Sequence, residues 1–237
     1  MKARRKRRST EDIENSIFEA ARQLIEDNGF SKLTVTGIMQ FAKIEPVQFY
    51  RRYDDLNLFI DKYVRRFDYW LSDTVVPPGQ SDMKGQYINI LTNLFNSLFE
   101  NRVMQQLLKW ELSDNNETTQ RTAQMRELHT LPLCQKYADF FSSSRHDIIA
   151  ISALIIGGIY YLILHDELST FSGLNLKNEA DRHRLLNAIR DLADILFYRY
   201  SVTKETLDMI TKMKNDNLPL NKIEYYTGVP VEIIERI

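Results

Sequence analysis

A chain of 237 residues is long enough for one large domain or for a small and a larger one, with enough buried surface to need no covalent staples. Its 43% apolar and 27% charged residues exclude a disordered tail, and only 8 Gly and 6 Pro favour long helices over many short strands. A single cysteine, Cys134, excludes an intramolecular disulfide and any cysteine-built zinc site. The basic start is succeeded at once by Ser9-Thr10-Glu11-Asp12 and has no apolar stretch behind it, unlike a secretory signal. A cytoplasmic protein is expected.

The net charge of −1 hides an uneven distribution. Residues 1–66 carry 14 basic and 10 acidic side chains, whereas the remainder is acidic. Six of the basic groups fall in Met1–Arg8, with no acid among them. Such a run is either a solvated arm or one that seeks a polyanion, and the residues after it decide between the two.

From Thr10 onward, Ile13, Ile17, Ala20, Ala21, Leu24 and Ile25 recur at helical spacing. Thr10 with Glu11 and Asp12 is expected to cap this helix, and Asn28-Gly29 to stop it. A short apolar piece, Phe30 to Val35, leads to Thr34 or Thr36 as cap of a second helix through Ala42. After a tight break at Lys43-Ile44, a third helix is expected from Glu45-Pro46 to about Tyr53, with proline suited to its first turn. Leu56, Phe59, Ile60, Tyr63, Val64, Phe67 and Trp70 predict a long fourth helix, Leu56–Val75, ended by Pro77-Pro78-Gly79.

Further stripes run Tyr87–Phe99, Val103–Leu112, Met125–Phe141 (with Pro132 as a kink) and Leu185–Tyr200. Ile148–Leu164 is apolar on every side. As a helix it is about 25 Å long, short for a bilayer core of about 30 Å, and its flanks lack interfacial anchors. It is expected to lie buried all round, against its own domain and a second copy, with Ser152, Ala153, Gly157 and Gly158 allowing close approach; no membrane partner is expected. No alternating strand pattern appears. The expected fold is all-α: a basic arm (1–9), a three-helix helix-turn-helix domain (10–55), a larger helical ligand-binding and dimerisation domain (56–201) and a helical extension (202–237). In that extension Leu207, Ile210 and Met213 mark a helix. Ile223 and Tyr226, the turn Thr227-Gly228-Val229, and Pro230 with Ile233 and Ile234 then repeat a miniature helix-turn-helix. Glu232 and Glu235 against Arg236 suit it poorly to phosphates, and packing or protein binding is expected there.

Residues 31–59 have the layout of a helix-turn-helix, with Val35, Ile38, Ala42, Ile44 and Phe49 at core spacing and Glu45, Pro46, Gln48, Arg51 and Arg52 exposed. Glutamine can bond adenine's Hoogsteen edge and arginine can grip phosphate or guanine. The Tyr50 hydroxyl, Thr34, Thr36 and Lys43 are suited to the sugar-phosphate backbone, joined by Arg4 and Arg5 of the arm. Double-stranded DNA is the expected partner.

This stretch resembles the DNA-binding domain of the TetR family of transcriptional repressors. The match rests on Ile17, Ala20, Ala21, Leu24, Gly29, Phe30, Thr34, Val35, Ile38, Ala42, Ile44, Phe49, Tyr50, Tyr53, Leu58 and Phe59, over residues 10–60. The resemblance implies a homodimer that reads a palindromic operator and is released by a small apolar or amphipathic effector. It implies that Pro46, Val47 and Gln48 face bases, with Tyr50 and Arg52 on phosphates. It also implies a four-helix dimer interface, here carried by Ile151, Leu154, Ile155, Gly158, Ile189, Leu192, Leu196 and Tyr200. Three positions depart from the family: Lys43 stands for the usual turn glycine, Val47 for a common glycine, and Leu56 for a lysine. A pocket should be apolar and aromatic; Trp70, Phe95, Phe99, Trp110 and Tyr161 are its candidate lining. No GxxxxGK[ST], GxGxxG or HExxH motif occurs, and the four histidines are scattered, so neither an enzyme nor a metal or other cofactor is expected. The rival reading is a helical adaptor that binds protein or ligand without specific DNA contact.

Overall fold

The computed structural model describes residues 8–71, 82–142, 147–201, 204–235 and 237. The side chains of residues 198–201 and 232 lie outside the description. Twelve α-helices are found among the described residues: α1 (Thr10–Asn28), α2 (Val35–Ala42), α3 (Pro46–Tyr50), α4 (Leu56–Val64), α5 (Met83–Glu100), α6 (Arg102–Ser113), α7 (Glu117–Phe140), α8 (Ile148–His165), α9 (Glu179–Ser201), α10 (Lys204–Asn215), α11 (Leu220–Thr227) and α12 (Val231–Ile234). Extended pairing among them is limited to an isolated bridge between Phe171 and Leu174. The all-α expectation holds.

The chain divides into two compact units. The first comprises residues 1–73 and 96–129, the second residues 74–95 and 130–237. The first therefore takes in α6 and half of α7 as well as the expected N-terminal trio.

In the first unit α1 begins one residue earlier than its sequence suggests. Ser9, not Thr10, is the cap: its hydroxyl accepts from the Asp12 amide (3.0 Å) while the Asp12 carboxylate accepts from the Ser9 amide (2.9 Å). This reciprocal box satisfies two amide donors that a helix start leaves unpaired. The helix ends at Gly29, where φ is +79° and a side chain would press on the Gln106 carboxamide at 3.2 Å. Only glycine suits both conditions. Ile13, Ile17, Ala20, Ala21 and Ile25 are buried as α1 packs on α2, whose Ile38 and Ala42 are buried too, and Phe18 of α1 joins the ring cluster of Phe49, Tyr53, Phe59 and Tyr63.

Helix α4 stops at Val64 and tightens into a 3-10 turn at Arg65–Phe67, where a continuous helix to Val75 was expected. A charge network accompanies the break: Arg121 of α7 donates to Asp61 (3.0 Å) and to Asp68 (2.8 Å), and Arg65 also holds Asp61 (2.8 Å). Arg121 is sixty residues from Asp61, so nothing local announces the turn. Residues 72–81, with the expected Pro77-Pro78-Gly79 stop, lie outside the described residues.

In the second unit, Tyr87, Tyr137, Phe140, Phe141 and Phe197 form a cluster of edge-on and tilted rings, and the Tyr87 hydroxyl meets the Ser152 hydroxyl at 2.9 Å. Pro132 is accommodated within α7. Helix α8 is capped by Asp147, which accepts from the Ile149 and Ala150 amides. It is long and apolar enough to cross a membrane by length and composition, with a mean hydropathy of 2.2, yet only 17% of it is buried. The expectation of complete burial is not met within one chain. Ile148, Ile159 and Ile163 face inward, whereas Leu154 is 78% exposed and the approaches to Gly157 and Gly158 are open.

The extension folds on a small core of its own. Ile210 of α10, Ile223 of α11, Val229 and Ile234 are buried together, and Gly228 ends α11 in the left-handed region.

Candidate nucleic-acid interface

Helix α2 starts at Thr34, whose hydroxyl accepts from the Gly37 amide (3.1 Å), so of the two threonines Thr34 caps and Thr36 lies exposed on the first turn. The helix ends at Lys43, which takes the left-handed conformation (φ 52°, ψ 54°) that its place in the turn demands, and the Ile44 amide bonds back to the Met39 carbonyl (3.1 Å). A left-handed L-residue costs roughly 1–2 kcal/mol, and glycine recovers part of that while adding unfolded-state freedom. Lys43→Gly is therefore expected to raise stability by up to about 1 kcal/mol, read from the urea midpoint.

Helix α3 is short and opens on Pro46. The Gln48 side-chain oxygen accepts from the Glu45 amide (2.9 Å), closing the first turn and leaving Gln48 half-buried where full exposure was expected. Phe49 points inward and is fully buried, with its ring 5.3 Å from Tyr53 and 5.7 Å from Phe59. The opposite face is open: Glu45, Pro46 and Arg51 are exposed, Val47 is 63% exposed and Tyr50 51%. The Tyr53 hydroxyl donates to Glu14 (3.3 Å). Burial, with the Glu14 charge behind it, pushes the Tyr53 pKa up to about 12, so it remains a donor at neutral pH.

Arg52, expected on a phosphate, is held within the chain. One guanidinium nitrogen donates to the Gln48 carbonyl (2.7 Å) and another to the Thr10 carbonyl (3.2 Å), while Nε is buried with no partner. Arg52 thus ties the end of α3 to the start of α1. Arg8, the last residue of the basic arm, donates to the Ala42 carbonyl (3.0 Å) at the end of α2, where a cation offsets the helix dipole. This holds Arg8 beside the α2–α3 turn, a role invisible along the chain because the partner is 34 residues away. Arg4 and Arg5 lie outside the described residues. Phe41 is also exposed beside this face, off the Ile38–Ala42 core stripe.

Of the five aromatic residues expected to line a pocket, Trp70, Phe99 and Trp110 belong to the first unit and Phe95 and Tyr161 to the second. Phe95 is fully buried in the second unit's core. Trp110 stacks on Phe30 (5.1 Å, 13° between planes) in the first unit. Tyr161 is half exposed and stacks on His165 in the second. Trp70 and Phe99 are half-buried. Glu111, beside Trp110, pairs with Arg126 and accepts from Thr122 (2.7 Å).

The residues expected at a dimer interface differ in exposure. Ile189 and Leu196 are already buried within their own chain. Leu154 and Leu192 are exposed, with Ile149 and Ile195 alongside in the same class. Ile151 and Ile155 are half-buried, Gly158 is open, and the Tyr200 side chain lies outside the description. Among the described residues no three His, Cys, Asp or Glu side chains gather as a metal site.

Architecture and turn geometry together define a TetR-type fold, with its helix-turn-helix near the N-terminus. Solved structures share it. A TetR family transcription regulator from Marinobacter aquaeolei VT8 superposes with a TM-score of 0.55 at 16% identity, over 76% of this chain and 95% of that one. A putative TetR family transcriptional regulator from Vibrio parahaemolyticus gives 0.53 at 17%, over 76% of this chain and 97% of that one. No protein-family model and no curated protein matches the sequence. At these identities the likeness is one of fold.

Proposed function

We propose that this chain is a cytoplasmic, homodimeric transcriptional regulator that represses by occupying a palindromic operator and is released by a small apolar or amphipathic molecule. The observation that carries the DNA reading is the outward face of α3. Phe49 and Arg52 fix that helix to α1 and the core, leaving Val47, Tyr50 and Arg51 to solvent, with Lys43 and the carbonyl-bound Arg8 at the preceding turn. Val47 would meet a thymine methyl, Arg51 and Lys43 phosphates, and Thr34, Thr36 and Tyr50 the flanking backbone. Arg52 serves by positioning. The uncovered apolar row of α8 supports dimerisation, and two half-sites about 34–36 Å apart would then mirror the two-fold axis. An effector that binds better to a form with the recognition helices wrongly spaced would lower operator affinity by that difference in binding.

The test is selection of bound duplexes from a random pool, with a search of the winners for an inverted repeat. A pool that enriches nothing, or only single half-sites, overturns the proposal. Gln48→Ala is expected to cost about 1–3 kcal/mol at one position of each half-site and to relax specificity there, in binding assays against single-base variants. Its carboxamide must swing off the Glu45 amide to reach a base, so the loss should approach the lower figure. Deleting residues 2–7, which leaves Arg8 in place, is expected instead to weaken binding to every sequence. The plot of log affinity against log salt should also flatten, by about 0.9 for each phosphate that the arm no longer neutralises.

A further inference from the structure

A cleft of about 560 Å3 opens in the first unit beside α1, the Arg65–Phe67 turn and the start of α6. Its size suits a small organic ligand. Phe18, Tyr63 and Phe67 line it as a continuous aromatic wall: Phe18 and Tyr63 stack at 5.6 Å and 26°, and Tyr63 meets Phe67 at 5.9 Å. The rim charges are sorted by partner. Arg22 donates two bonds to Glu19 (2.9 and 2.6 Å) and two to Glu26 (2.7 and 2.6 Å), so both carboxylates are already held. Arg66 has no carboxylate partner among the described residues. It is exposed, and its guanidinium lies over the Phe18 ring at 4.7 Å.

We propose that this cleft is a binding site for an aromatic carboxylate, its ring against Phe18, Tyr63 and Phe67 and its carboxylate on Arg66. The guanidinium fork is built to take a carboxylate through two parallel bonds while its flat face stays on an aromatic ring. A cationic ligand would have to displace Arg22 from Glu19 or Glu26, losing paired charge-assisted bonds, so the site discriminates by sign. The inference uses only the first unit's geometry and does not rest on the DNA reading.

The test is calorimetric titration of the full chain with three probes of one shape: naphthoate, neutral naphthamide and naphthylmethylammonium. Naphthoate is expected to bind best. Arg66→Gln should weaken naphthoate by about tenfold or more while leaving naphthamide unchanged. Asn15→Trp, an exposed rim position on α1, should block both. Fluorescence gives a second readout, since Trp110 stacks on Phe30, which contacts Tyr63 at 6.4 Å. Both variants are surface changes, and circular dichroism checks their folding. The proposal is overturned if naphthoate gives no heat up to its solubility limit, if the ammonium probe binds more tightly, or if naphthoate binds both folded variants as it binds the parent.

Discussion

In the proposed homodimer, Leu154→Glu is expected to separate the protomers and to lower affinity for an inverted repeat by a hundredfold or more, about 3 kcal/mol. Leu154 stands 78% exposed on a helix of mean hydropathy 2.2 that its own chain leaves largely uncovered. In a two-fold interface the same residue enters from both sides, so one substitution buries two unpaired carboxylates, each at a cost of several kcal/mol. The stability of the isolated chain should hardly change, because the side chain touches solvent there. Sedimentation at micromolar concentration reads the oligomer, and binding to one half-site reads the intact helix-turn-helix. A variant that remains dimeric would place the interface elsewhere. A parent chain that is itself monomeric would remove the dimer altogether.

Phe49→Ala is expected to destabilise the first unit by about 3–5 kcal/mol. The ring is fully buried, with Tyr50, Tyr53 and Phe59 at 5.5, 5.3 and 5.7 Å. Its removal leaves a cavity that neighbouring rings are too stiff to fill. The same side chain is the inward anchor of α3, so DNA affinity should fall with stability. Trp70 and Trp110 both belong to the first unit, and tryptophan emission during urea unfolding therefore reports that unit. Val47→Ala, on the same short helix but 63% exposed, is the matched control and should shift stability by no more than about 0.5 kcal/mol. Equal shifts in the two variants would mean that α3 is turned the other way.

Much of the architecture can be read along the chain, because helix periodicity, caps and stops are signals between near neighbours. The apolar stripe of α1, the stop at Gly29, Pro46 at the head of α3 and the left-handed turn at Lys43 all depend on residues within about four positions of one another. The two short helices of the extension and the glycine between them were legible for the same reason. That glycine and the buried Ile223 and Ile234 lie within about a dozen residues.

Tertiary structure decided which side of each pattern a polar or aromatic group would serve. Arg52 looks in sequence like Arg51, yet it is bound to a carbonyl 42 residues away and becomes a bracket while its neighbour stays free for a partner. Trp110 gives no sign in sequence that Phe30, eighty residues earlier, stacks on it. Ile189 and Leu192 share one amphipathic helix, but only packing against the second unit's core shows that the first is taken and the second exposed. The physical reason is common to all three. A side chain's period along a helix depends on the backbone around it, but its partner depends on how distant segments close together, and that is settled only when the whole core forms.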